Sequence, residues 1–182
     1  DDFKYNIYLK NKDFKSNSQL ILSEFKLNSQ DYLKNFITNF DSTTILKDQI
    51  IDINFKNKEL IIKGQGKIKF DSNFEDFKFK ILKIKDKFNF DTQVDLDQTS
   101  YKIDFLDFVK NDVSKTQIKL LGSYEDKNSF IFENLSIIDK NNRFILKNIH
   151  LNKNNLIEKL DKVKLEFLDS QNKKNNLLLK KT

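Results

Sequence analysis

From Gln49 to Phe105 apolar and polar residues alternate almost without a break. Ile51, Ile53 and Phe55 are followed by Leu60 and Ile62, then by Ile68 and Phe70. Phe77, Phe79 and Ile81 come next, then Phe88, Phe90, Val94 and Leu96, then Tyr101, Ile103 and Phe105. Successive side chains of a strand point to opposite faces, so a period of two gathers the aromatics on one face and the charges on the other. The pattern predicts five strands in a row. Polar turns would fall at Asn57-Lys58, Asp71 to Glu75, Lys85 to Lys87 and Asp97 to Ser100. That is an antiparallel meander with one apolar and one wet side. Gly64 and Gly66 both fall on the apolar side, where they mark either a strand bend or a close approach to the backbone.

The flanks continue this texture. Tyr5, Ile7 and Leu9 alternate, Asn11 to Ser18 reads as a polar turn, and Leu20 and Leu22 run on toward Phe25 and Leu27. Between residues 29 and 40 the period changes: Tyr32, Leu33, Phe36, Ile37 and Phe40 recur at three and four. That spacing predicts a short amphipathic helix with Ser29 as its cap. Phe105, Leu106, Phe108, Val109 and Val113 suggest a second helical turn over 105–113. Alternation resumes at Ile118, Leu120, Gly122 and Tyr124, and continues through Phe130, Phe132, Leu135 and Ile137 to a turn at Asp139 to Arg143. Phe144, Leu146, Ile149 and Leu151 change parity, which predicts a bulge at Lys147-Asn148. After a turn at Asn152 to Asn155, Val163, Leu165 and Phe167 form a strand, and Leu177 and Leu179 begin another. No exact repeat is present.

The 182 residues suit one β-rich segment, 1–182. A start at Asp1-Asp2 and a stop at Lys181-Thr182, just after Leu177 to Leu179, lead us to expect a piece excised from a longer chain. Cys, Met, Trp, Pro and Ala are all absent, and Arg143 is the single arginine. Lys, Asn, Ile and Phe fill the available roles, as in an AT-rich genome, so the excess of Lys over Arg carries no functional meaning by itself. Charged residues make up 33% of the chain, a disorder-like share, but 18 phenylalanines in strict alternation argue for a folded sheet. The net charge of +6 comes from 33 basic and 27 acidic residues interleaved. That leaves open a plain solvated face or attraction to anionic partners such as phospholipid headgroups.

Catalytic tools are scarce. His150 is the only histidine, and alternation puts it on the polar side of its strand. One His and no Cys cannot build a usual zinc site. With Gly64, Gly66 and Gly122 as the only glycines, no phosphate loop is present. Asp95-Asp97 and Glu125-Asp126 lack the spacing of an EF-hand and read as turn residues. Lys alternates with Asp and Glu instead of clustering, which speaks against a nucleic-acid partner. We expect no enzyme, no cofactor and no metal.

Three stretches carry a family likeness: LIIKGQGKIKF at 60–70, SFIFENLSIID at 129–139, and FILKNIHL at 144–151 leading to VKLEFLD at 163–169. They resemble the AsmA-like repeats of large bacterial envelope proteins, the group that includes TamB and YhdP. Those repeats pair a short "F.NL.I" strand with a following strand ending in "G.G". The resemblance spans most of the chain and implies an elongated, twisted antiparallel sheet curled into an open groove. It further implies a periplasmic protein anchored to the inner membrane through a part of the chain not present here. Such a protein carries phospholipids between inner and outer membranes.

By pattern alone the apolar side is equally an acyl-chain groove or a core closed by the sheet folding over or by the 29–40 helix. The resemblance favours the groove. Phospholipid acyl chains would then slide along Ile53, Phe55, Ile62, Phe70, Phe79, Ile81, Phe88, Phe90, Ile103 and Phe105. The other reading is a structural or adhesive β-sandwich or solenoid module of a cell-envelope protein.

Overall fold

A computed structural model describes residues 1–10, 13–28, 37–40, 43–110, 114–125, 129–152, 154 and 156–181. Alternation becomes strand almost everywhere. The chain forms β1 (Asp2–Lys10), β2 (Asp13–Asn28), β3 (Thr43–Lys56), β4 (Glu59–Lys69), β5 (Phe74–Ile84), β6 (Lys87–Asp95) and β7 (Tyr101–Ile103). It continues with β8 (Phe108–Lys110), β9 (Gln117–Glu125), β10 (Ser129–Ile138), β11 (Arg143–Leu151), β12 (Ile157–Lys159), β13 (Lys162–Leu168) and β14 (Lys174–Lys180). All but β7 and β8 join one antiparallel sheet in the order β1-β2-β3-β4-β5-β6-β9-β10-β11-β13-β14, with β12 beside part of β11. β1 and β14 are its two outer edges, so the sheet is open.

Several expectations change. The fifth predicted strand, Tyr101 to Phe105, is not in the sheet. Its first three residues are β7, which pairs only with β8 in a separate two-stranded ribbon. Alternation ends there because Asp104–Leu106 forms a 3-10 turn, closed by Asp107 in the left-handed region with its N–H donating to the Asp104 carbonyl. That turn stands where a helical turn over 105–113 was expected, and the chain then returns to strand as β8. The predicted helix at 29–40 lies largely outside the described residues. Its last part does not continue a helix: Ile37 bridges Tyr101, and the Thr38 N–H donates to the Ser100 carbonyl. The turn expected over Asn11 to Ser18 is shorter in the structure, since Asp13 to Ser18 already pair with β1.

Parity switches at several points without breaking the sheet, among them β10, where Phe132 and Leu135 are out of phase and the register with β9 slips by one residue. Asn148 has φ of 53° where a bulge was expected, and Phe144 and Leu146 on one side of it alternate out of phase with Ile149 and Leu151 on the other. Asp48, with φ of 52°, does the same in β3 between Leu46 and Ile51, where the register with β4 slips by one residue. Asn and Asp tolerate this left-handed conformation better than bulky residues do. At the Asp48 bulge, Gln49 is 1% exposed and its amide donates to the carbonyls of Lys47 and Lys67. It serves backbone acceptors that the bulge leaves outside the ladder.

The core is small and lies at one end of the strands. The β6–β9 connection folds back so that Leu96, Tyr101 and Phe108 pack with Phe144, Leu165 and Phe167. Val94, Ile118, Ile137 and Val163 pack around them from the sheet. Phe108 meets Phe144 and Phe167 in edge-on contacts at 4.9 and 6.0 Å between ring centroids. Each fully buried side chain of this size stabilises the fold by roughly 1.5–3 kcal/mol. A buried carboxylate latches the connection: Glu75 of β5 accepts the N–H groups of Asp97, Gln98 and Thr99 at 2.9, 2.8 and 2.6 Å. Lys110 adds hydrogen bonds to the Asp97 and Thr99 carbonyls, and the Ser170 N–H donates to Asp107 from the β13–β14 turn.

Candidate functional site: an apolar face in cross-strand rows

Register turns separate alternations into continuous rows that run across the sheet. Ile53 of β3 faces Ile62, which faces Ile81, which faces Phe90. The same row continues through Gly122 and Phe132 to Ile149 in β11. At ~4.8 Å per strand its six steps cover about 29 Å. A parallel row holds Phe55, Leu60, Lys83, Phe88, Tyr124, Phe130 and Leu151. Lys83 is the one charge in it, and its ammonium lies 4.9 Å from the Phe88 ring centre. The stem covers apolar surface while the charge stays toward water. From Ile53 to Phe132 both rows are half-buried among their own neighbours, apart from the buried Gly122, whereas the marginal core is fully covered.

All three glycines make room on this side. A Cβ on Gly64 would meet the Phe79 ring at 2.3 Å, and one on Gly66 would meet the Gln49 amide nitrogen at 2.2 Å. A Cβ on Gly122 would lie 2.8 Å from the Phe90 ring tip and 2.3 Å from the Ile131 carbonyl oxygen. Neighbouring groups fill the gaps the glycines leave, so Gly64 and Gly66 are places of close approach, and Gly66 also lies opposite the register slip at Asp48.

Of the expected lining residues, Ile53, Phe55, Ile62, Phe79, Ile81, Phe88 and Phe90 share this face. Phe70 and Ile103 pack instead against the marginal core. Phe105 belongs to neither: it sits in the 3-10 turn and is 85% exposed, because the chain leaves strand geometry at Asp104. Leu60, Tyr124, Phe130 and Phe132 extend the rows but were missing from the expected lining. Their alternation was visible; what was hidden was the β6–β9 pairing, which sets Phe88 against Tyr124 across an insertion of some twenty residues.

The sheet's outer edges also present apolar side chains. Phe3, Tyr5 and Ile7 on β1 and Leu177 to Leu179 on β14 are all exposed. Among the described residues no cluster of His, Asp and Glu is set to hold a metal ion, and no helix is long and apolar enough to cross a membrane. Comparison with protein-family models, with curated proteins and with solved structures finds no match.

Proposed function

We propose that this chain is an acyl-chain-carrying module of a bridge that moves phospholipids between two membranes. In the AsmA-like setting the resemblance suggests, these would be the inner and outer membranes on either side of the periplasm. One observation carries the reading: apolar rows cross seven strands over about 29 Å, half-exposed from Ile53 to Phe132 apart from the buried Gly122, with Lys83 the single charge among them. Contiguous exposed apolar area on this scale is unusual for a free-standing domain and marks a surface with an occupant. Acyl chains suit it because an aliphatic tail needs no directional contact, only continuous apolar lining and exclusion of water. The marginal core would then wall one side of the track at the strand ends.

Photo-crosslinkers test the assignment directly. Placed at Phe79 and Phe90 they should capture phospholipid, while the adjacent Lys80 and Asn89, on the opposite face, should not. Equal capture from both parities would overturn the proposal. A compact, monomeric protein that emerges lipid-free from its host would instead favour a structural module.

A further inference from the structure

The polar side of the same sheet carries a feature independent of what the apolar side holds. Lys63 of β4, Lys78 and Lys80 of β5, Lys119 of β9 and Lys147 of β11 converge on one depression of about 660 Å³. Among the described residues of its lining Asp91 is the only carboxylate, and Gln65, Gln93 and Asn134 complete the polar wall. Lys63 and Lys80 stand directly opposite each other on neighbouring strands, an arrangement that repels within the sheet. Each also has an acidic register neighbour, Asp52 beside Lys63 and Asp91 beside Lys80. Yet among the described residues none of the five lysines forms an ion pair, whereas Lys67, Lys87, Lys159 and Lys164 all do. Asp52 is occupied elsewhere, accepting from the Gln19 amide.

We propose that this basin binds a soluble linear polyanion, a chain of phosphate groups lying across the strands. Lys63 and Lys147 stand five strand steps apart, about 24 Å, so the positive charge is spread along a line and suits a chain better than a single phosphate. The five ammonium groups, those of Lys63, Lys80 and Lys147 in one cross-strand row and those of Lys78 and Lys119 in the next, can each meet a phosphate as a point charge. Phe79 is the one aromatic among the described lining residues, and its half-buried ring fills the gap at Gly64 on the apolar side, so it gives a base no free face to stack on, which disfavours single-stranded nucleic acid. A lipid headgroup is disfavoured too, since its single phosphate would span only a small part of charge spread over about 24 Å.

The test is titration of the intact chain with short inorganic polyphosphate at low and raised salt. Binding should weaken steeply as salt increases, as expected where cations are released from a polyanion. The double variant Lys78→Gln/Lys80→Gln should lose about tenfold or more in affinity, because two of the five cations are removed. Asp91→Asn should bind more tightly. Lys58→Gln/Lys85→Gln, the same charge change placed in two hairpin turns, should leave affinity within about twofold. Equal losses from the basin and turn variants would mean diffuse attraction to a basic protein and overturn the site. So would absence of polyphosphate binding by the unaltered chain. Tighter binding of a single-stranded oligonucleotide or of anionic phospholipid vesicles, lost in the same basin variant, would overturn the assignment of the ligand.

Discussion

Phe90 and Phe132 meet edge-on across Gly122, two strands apart, with ring centroids 5.9 Å from each other. No intervening side chain separates them, so β6 and β10 share an aromatic contact over the backbone of β9. Aromatic pairs in this geometry contribute ~0.5–1.5 kcal/mol beyond their buried area. The contact also seals the apolar row where a smaller pair of residues would leave a gap.

Gly122→Ala is therefore expected to destabilise the sheet by roughly 1–3 kcal/mol, since the new methyl meets a backbone carbonyl that cannot turn away. Gly64→Ala should be milder, because the atom in the way belongs to the Phe79 ring, which has rotational freedom. Urea unfolding of the two variants side by side checks this. A larger loss at Gly64 would contradict the packing described for both glycines.

A charge in the row separates carrier from core. Phe90→Asp is expected to express well and keep its β-type circular dichroism but to lose co-purified lipid and lipid passage. A carboxylate in an apolar track stays hydrated or is buried unpaired, and either interrupts a dry path. In an ordinary core the same change would cost several kcal/mol against a total stability of about 5–15 kcal/mol and unfold the domain. Loss of the fold would move the assignment to a structural module.

Glu75→Gln tests the latch on the β6–β9 connection. One of the two side-chain oxygens becomes an NH2 group facing backbone donors, leaving N–H groups of residues 97–99 without an acceptor at ~1–3 kcal/mol. Hydrogen exchange should accelerate at residues 97–99 and in β7 and β8, while β3 to β5 keep their protection. Uniform acceleration across the sheet would show that Glu75 supports the whole fold and not this connection.

Acid should weaken one edge first. Asp161 is held below the usual carboxylate range chiefly by the Asn148 amide and then by Lys159. Lys164 lowers Glu166, and the backbone N–H of Lys173 lowers Asp169. A carboxyl with a lowered folded pKa adds stability above its unfolded value and loses it as pH falls through the folded one. Amide protection in β13 and β14 should thus be steady near neutrality and decline relative to β4 and β5 below about pH 4. Asp161→Asn should remove part of that difference. A parallel decline in both regions would show that these three carboxylates do not set the edge's acid response.

Strand identity was legible along nearly the whole chain, because facing is a local property: side chains two apart share a side whatever the tertiary context. The hairpin turn at Asn57-Lys58 and the parity change at Asn148 were read from the same periodicity. Asp48 escaped because Asp48, Gln49 and Ile50 break the rhythm less visibly than Ile149 and Leu151 do. Phe105 was misplaced for the opposite reason. It keeps the rhythm of Tyr101 and Ile103 although its backbone has already turned.

What the amino-acid sequence determined by itself is a β-sheet with an apolar and a polar side, for which alternation suffices. Only the tertiary structure decided which strands lie side by side, and with that everything that depends on alignment across strands. The row from Ile53 to Ile149 and the gathering of Lys63, Lys78, Lys80, Lys119 and Lys147 both arise from register over distant parts of the chain. The covering of one margin by Tyr101 and Phe108 was likewise beyond local pattern, since a short ribbon gains its place by burying rings against β11 and β13. Periodicity reports the face a residue takes. Pairing of strands far apart in sequence depends on hydrogen bonds and packing that no local window contains.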